Sequence, residues 1–301
     1  DLDRCVYYPN SKQKEFEWNK DGIKHFDENG IEDTKVYTTK QKVAANRIAL
    51  DGCSLGFSIR LGKVDVTNAI EHVVTEADMK SVDVSQRGDI RTVTWKGAEL
   101  CGDSFTVVAV LTRTPEGLLD WQARYAGQAS GLDVLEFDFP TVFVPYRKDT
   151  RYFRSFSQGM LVKLDWDAEP CAGRIARLGT HMWPAHFTAL VNGDAPSFYM
   201  DQRNDLGHAT RVECSKERSG ELRIEFLYYL PVTAENSRDF SLPFGGRLGP
   251  FRGGWYEAAM LYAPWARTRP NYLNARRNFD LSRHREIGLW MWNRGRIEDV
   301  V

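Results

Sequence analysis

The sequence predicts a mainly β protein: a two-sheet antiparallel sandwich over 1–240, a helical linker over 241–285 and one further strand within 286–301. The first ground is a long succession of short β-prone runs separated by Gly, Asn and Asp. The second is that no helical periodicity interrupts them, and more than ten such strands bury a core by stacking two sheets. The third is a change of pattern after Leu242, where Gly and Pro crowd together ahead of an apolar helical stripe.

In chain order, "SLGFSIRLG" (54–62), "IRTVTWKG" (90–97), "SFTVVAVLTRT" (104–114), "LLDWQARYAG" (118–127) and "VLEFDFPTVFVPY" (134–146) are alternating or β-branched runs of strand length. "TPEGLL" (114–119) reads as a hairpin loop in which Pro115 and Gly117 supply the special backbone angles. The rhythm resumes in "GMLVKLDW" (159–166), "HFTALVNGDAPSFYMD" (186–201), "ATRVECS" (209–215) and "ELRIEFLYYLPV" (221–232). Alternation puts Leu222, Ile224, Phe226 and Tyr228 on one face. "NGD" (192–194) predicts a tight type I′ hairpin, because Asn-Gly tolerates the positive φ that this turn demands.

"LPFGGRLGPFRGG" (242–254) reads as a connector. In the next segment Trp255, Ala258, Ala259, Tyr262 and Trp265 recur at helical spacing, so a helix is expected over about 253–266, ended or kinked by Pro264. Core packing is the first explanation of its stripe. An Arg-rich stretch (267–285) then leads to "EIGLWMWNRG" (286–295), an apolar segment with a polar tip. A lone strand has no partners, so the segment is expected to be the leading strand of a second domain.

Forty basic and 41 acidic side chains leave a net charge of -1, which supplies no field to draw in nucleic acid or anionic lipid. The longest apolar runs are far too short to span a membrane, and no charged-then-apolar leader opens the chain. Over 236–301 there are eleven Arg and no Lys against six Asp and Glu. Guanidinium pairs bidentately and is weakly hydrated, so this bias points to planar pairing at an interface, with a merely compositional origin as the alternative. Five widely spaced cysteines without a CxxC pair indicate buried thiols rather than a zinc site or a disulfide framework.

Three stretches, "PSFYMDQRNDLGHATRV" (196–212), "GGWYEAAMLYAPWA" (253–266) and "IGLWMWNRG" (287–295), resemble glycoside-hydrolase-like proteins. In those, an N-terminal galactose-mutarotase-like β-supersandwich precedes a catalytic (β/α)8 barrel, as in the endo-α-N-acetylgalactosaminidase group. The resemblance covers roughly the second half of the chain; the first 150 residues agree only in β character. It implies a sandwich that braces a barrel, contact between the two, a carbohydrate ligand, polysaccharide degradation, and a secreted or periplasmic setting. It implies no cofactor. If 287–292 is the first barrel strand, Trp292, Asn293 and Arg294 stand at or next to its C-terminal end, where barrel enzymes bind substrate. The paired carboxylates of a glycosidase cannot be assigned to any of the 41 acids and are expected beyond Val301.

Asp201, Arg203, Asn204, Asp205 and His208 form the densest polar cluster following a strand. Asp201, Arg203 and Asn204 offer the donors and acceptors that sugar hydroxyls need, against the alternative that Asp and Asn only cap their own turn. In "THMWPAHF" (180–187), Trp183 could stack on a pyranose, while His181 and His186 lack a third ligand for a metal. No phosphate loop, nucleophile elbow or HExxH is present. The expected function is therefore the non-catalytic N-terminal part of a glycoside hydrolase, with Arg203 near Asn293 and Arg294. Two rivals stay open: a stand-alone carbohydrate-binding module, and a sandwich that is itself a polysaccharide lyase or mutarotase using His181, His186 and Tyr199.

Overall fold

The computed structural model describes residues 46–63, 72–128, 131–155, 159–163, 185–217, 220–230 and 238–269, with Lys216 by backbone alone. It also describes the strand backbones at 4–7, 14–19, 22–26, 32–33, 70–71 and 174–179. Two compact units are present, Asp1–Ala259 and Met260–Val301.

The first unit begins with β1 (Arg4–Tyr7), β2 (Lys14–Asn19), β3 (Gly22–Phe26) and β4 (Glu32–Asp33), which form an antiparallel four-stranded sheet of their own. Next come β5 (Ile48–Leu50), β6 (Cys53–Gly62), β7 (Ile70–Thr75), β8 (Met79–Arg87), β9 (Ile90–Ala98), β10 (Gly102–Arg113), β11 (Leu119–Ala126) and β12 (Asp133–Pro145). They are followed by β13 (Arg151–Arg154), β14 (Met160–Lys163), β15 (Arg174–Gly179), β16 (Phe187–Val191), β17 (Ser197–Asp201), β18 (Thr210–Lys216) and β19 (Glu221–Tyr229). β20 (Asp239–Ser241), β21 (Gly246–Phe251) and the helix α1 (Trp255–Arg267) complete the described elements.

These strands build two further antiparallel sheets, the sandwich that the sequence predicts. One has ten strands in the order β14-β13-β16-β17-β21-β11-β10-β9-β8, with β20 also beside β11. The other has seven, β15-β18-β19-β12-β6-β5, with β7 beside β6. Alternate residues of β6 (Leu55, Phe57, Ile59, Leu61) and β19 (Leu222, Ile224, Phe226, Tyr228) are buried, as are Val93 and Trp95 of β9 and Trp121, Ala123 and Tyr125 of β11. Aromatic pairs bridge the two sheets: Phe57–Trp95 at 5.2 Å, Tyr125–Phe137 at 5.5 Å and Trp121–Phe139 at 5.6 Å between ring centroids. Large buried rings of this kind supply most of the driving force, at about 25 cal/mol per Å² of apolar surface removed from water.

The hairpin at 114–119 forms as its sequence demands, with Thr114 N–H donating to Leu118 O (2.8 Å), Gly117 N–H to Thr114 O (2.9 Å) and Gly117 at φ +85°. Two expectations are corrected. Asn192 and Gly193 do not make a two-residue turn: Leu190 pairs with Phe198, so 192–196 is a longer loop. Asn192 is buried and spends its amide on Pro196 O (2.9 Å), while its N–H donates to Ser197 Oγ, which ties the wider loop shut. Part of the supposed connector is also a strand, since β21 lies between β17 and β11 inside the ten-stranded sheet. A run of Gly and Pro breaks sheets by default, but Gly245 and Gly246 are here required by contact. A Cβ on Gly246 would overlap the Asp201 carbonyl and lie 2.8 Å from the Trp121 ring, and one on Gly245 would overlap the Trp121 carbonyl.

The helix matches its predicted span closely and contains Pro264 in its last turn, where the missing N–H costs one bond. Of its stripe, Ala258 is fully buried, while Trp255 stays half-exposed and stacks on Phe153 (6.1 Å, 15°). In the second unit, Tyr262 packs on Trp265 (5.3 Å) and the Arg269 guanidinium lies over the Trp265 ring (5.1 Å). No helix among the described residues is long and apolar enough to cross a membrane.

Candidate functional site

The cluster around Asp201 occupies the end of β17 and the loop after it. Strand alternation sends Phe198 and Met200 into the sandwich and Tyr199 and Asp201 to the outer face of the ten-stranded sheet. Asp201 is nevertheless fully buried. Its Oδ2 accepts the Tyr199 hydroxyl (2.8 Å), and its Oδ1 accepts the Arg247 backbone N–H (2.6 Å), which fastens β17 to β21. Burial pushes the carboxyl up to about 6, against the pull of Arg203 (Nε 3.8 Å from Oδ2) and these hydrogen bonds.

Arg203 is fixed by its backbone, whose N–H donates to Gly245 O (2.8 Å). Its guanidinium lies 3.6 Å from Asp120 Oδ1, the same oxygen that accepts from Arg247 Nε at 2.8 Å. Arg247 also comes within 3.8 Å of Glu116. This Arg247–Asp120 contact lies within the ten-stranded sheet, between β21 and β11. Two guanidiniums thus face three carboxylates, Asp120, Asp201 and Glu116, and the Asp120 and Arg203 side chains remain 41% and 25% exposed. They rim an open cleft of about 350 Å³ whose lining adds Val110, Thr112 and Gln122, with Gly245, Gly246 and Trp121 behind. The cleft is thus a preformed concavity whose few polar groups are held in place by buried partners.

The other residues singled out in the sequence divide. Asn204 is buried and its amide closes its own loop, donating to His208 O (2.8 Å) and accepting the His208 N–H (3.0 Å). That is the turn-capping role, and it keeps Asn204 out of the cleft. His208 turns its ring onto Tyr228 and Phe244. Tyr199 is completely buried with its hydroxyl on Asp201, which leaves no open side for acid–base work. Burial also lowers the His186 pKa. Trp183, His181, Trp292, Asn293 and Arg294 lie outside the described residues, and with them the expected approach of Arg203 to Asn293 and Arg294.

Asp120, Arg247, Glu116 and Gln122 belong to the cleft region and were not singled out from sequence. The usable signal was "GGR" at 245–247: a glycine pair before an arginine marks a close backbone approach as readily as a linker.

A second polar cluster lies on the outer face of the seven-stranded sheet. Arg60 Nε sits 3.1 Å from Asp138 and 3.2 Å from Glu136, with Glu225 3.6 Å from its Nη2, while Arg211 joins Glu136 to Glu213. Ser58 donates to Asp138 (2.6 Å), whose carboxyl burial pushes up. These charges answer one another across β6, β12, β18 and β19. Among the described residues no group of three or more His, Cys, Asp and Glu is arranged to hold a metal ion, and Cys53, Cys101 and Cys214 are buried free thiols.

No family model matches the chain, and no curated protein matches it. Among solved structures it is similar to the α-N-acetylgalactosaminidase NagBb of Bifidobacterium bifidum in complex with GalNAc, at 10% identity and a TM-score of 0.49 over 76% of this chain and 41% of that one. It is also similar to the GH36 α-galactosidases AgaA and AgaB of Geobacillus stearothermophilus, each at 10% identity, with TM-scores of 0.41 and 0.42 over 88% and 89% of this chain and 43% and 42% of theirs. The chain thus spans about two fifths of the length of the structures it matches. At this level the likeness assigns neither a family nor an activity.

Proposed function

We propose that the chain is the non-catalytic N-terminal part of a polysaccharide-degrading glycoside hydrolase. Its β-sandwich, of the galactose-mutarotase-like kind, braces a catalytic barrel whose first strand lies in 286–301, and its cleft presents Arg203 and Asp120 to a sugar. The protein acts outside the cytoplasm, in the periplasm or after secretion, on an oligo- or polysaccharide. Trp183 and the tip formed by Trp292, Asn293 and Arg294 add to the sugar contacts.

The observation that carries this reading is the cleft itself. Two guanidiniums share Asp120, and the buried Asp201 and the Gly245 carbonyl hold the loop that carries Arg203. Fixed, half-exposed donors and acceptors without a large net charge suit hydroxyl groups, and charge-assisted hydrogen bonds are the stronger kind. The resemblance of 196–212, 253–266 and 287–295 to sandwich-plus-barrel hydrolases supports the same reading.

The test is a calorimetric titration of the chain against a panel of neutral oligosaccharides, repeated with Arg203→Ala. Binding that weakens by about 10-fold or more in the variant, while it is still folded at the titration temperature, is expected from the loss of a charged hydrogen-bond donor. Absence of binding across the panel, or equal affinity in the variant, would contradict the proposal. Formation of an unsaturated sugar product by the chain alone would replace it with the lyase reading.

A further inference from the structure

The strands that form the Arg203 cleft carry a second cavity on their opposite face. Val110, Thr112 and Asp120 point outward into the cleft, whereas Leu111 and Leu119 alternate with them and point toward the other sheet. Between this inner face and the end of β5, a pocket of about 170 Å³ opens where the sandwich ends. Its floor is aliphatic: Leu111 and Leu248 are buried, and Leu50, Leu119 and Pro250 are partly so. Its rim carries Asp51, Asp89, Arg91 and Arg113.

Those four charges do not satisfy one another. Among the described residues none of them joins an ion pair, and the Arg91 guanidinium reaches only the Ala49 carbonyl at 3.5 Å, the outer limit of a hydrogen bond. Gln86, also on the rim, is occupied by its own turn, donating to Gly88 O (3.3 Å). The less exposed guanidiniums of Arg60 and Arg247 are paired, whereas Asp51, Asp89 and Arg113 stand exposed at the rim with their hydrogen-bonding capacity open to a ligand or to water.

We infer that this pocket binds a single neutral monosaccharide ring. Two guanidiniums and two carboxylates cancel, so the rim offers an anion such as a phosphate or a uronate no net attraction. Together they supply both donors and acceptors, which a polyol edge requires and a simple anion does not. The leucine and proline floor matches the apolar C–H face of a pyranose. At about 170 Å³ the pocket is smaller than the roughly 300 Å³ at which ligand pockets usually begin, a size that suits one ring rather than a larger ligand. The inference does not rest on the proposed function, because the two cavities lie on opposite faces of the same strands.

Amide chemical shifts of the whole chain, followed during titration with D-glucose, D-galactose, N-acetyl-D-galactosamine and D-galacturonate, test it. At least one neutral sugar is expected to saturate with a millimolar dissociation constant, moving the amides of Gly117 and Gly249 at the pocket wall. Arg113→Ala and Asp89→Asn, both at exposed positions and so without effect on folding, should each weaken that binding about 10-fold. Arg203→Ala should leave it unchanged. The inference is overturned if no sugar saturates those amides, if galacturonate binds more tightly than every neutral sugar, if both rim variants keep full affinity, or if Arg203→Ala abolishes the effect.

Discussion

Asp201 is spent on the scaffold of the cleft. Every polar contact it makes is to the scaffold of the cleft: the Tyr199 hydroxyl, the Arg247 backbone and the Arg203 guanidinium. Burial keeps its proton on to about pH 6 in the folded chain, whereas an unfolded Asp releases it near 3.9. The folded state therefore binds more protons across that window, and this residue's contribution to stability falls as pH rises from about 4 to about 6. In Asp201→Asn that fall should disappear, so the melting temperatures of variant and parent should diverge by several degrees between pH 4 and pH 6 and run parallel above. Curves parallel throughout, measured by thermal denaturation from pH 4 to 8, would show that Asp201 is already ionised at the acid end.

At the scale of elements, β21 joins the fold to the site. It is hydrogen-bonded between β17 and β11, and the glycines at its start bring Arg247 and the Gly245 carbonyl against the loop that carries Arg203. Gly246→Ala would drive a methyl group into the Asp201 carbonyl and the Trp121 ring, so a loss of about 1–3 kcal/mol is expected from denaturant unfolding. A fully stable variant would mean that β21 is not pressed against β17. This element was not legible in the sequence. β6, β10, β11 and β19 announce themselves by alternation, because each has one face on the core and the period of two is written in the side chains. β21 is short, rich in Gly and Pro, and held by backbone pairing and close approach, which leave no hydrophobic period to read. The Asn-Gly turn misled for the converse reason. Its dipeptide fits a tight hairpin, but Asn192 and Ser197 found buried partners that a longer loop supplies.

For the whole molecule, the sequence carries the class of the fold and less of its assembly. Strand runs without helices give two stacked sheets, yet nothing in them foretells that the first four strands form a separate sheet. The cleft was legible only in part: Arg203 and Asp201 stand out as a polar cluster after a strand, while Asp120 and Gln122 come from a hairpin some eighty residues earlier. Contacts between distant segments are set by strand order, and strand order is not written in local pattern. The same topology sets two cavities back to back on β10 and β11, one rimmed by Arg203 and Asp120 and one by four unpaired charges.

The proposed function requires carbohydrate at the cleft rimmed by Arg203 and Asp120. Backbone chemical-shift mapping of the chain with the tightest oligosaccharide of the panel tests it most directly. Saturable shifts are expected at Asp120, Gln122, Arg203, Gly245 and Gly246, and they should vanish in Arg203→Ala. Saturable shifts confined to other surfaces, or none at all, would contradict it.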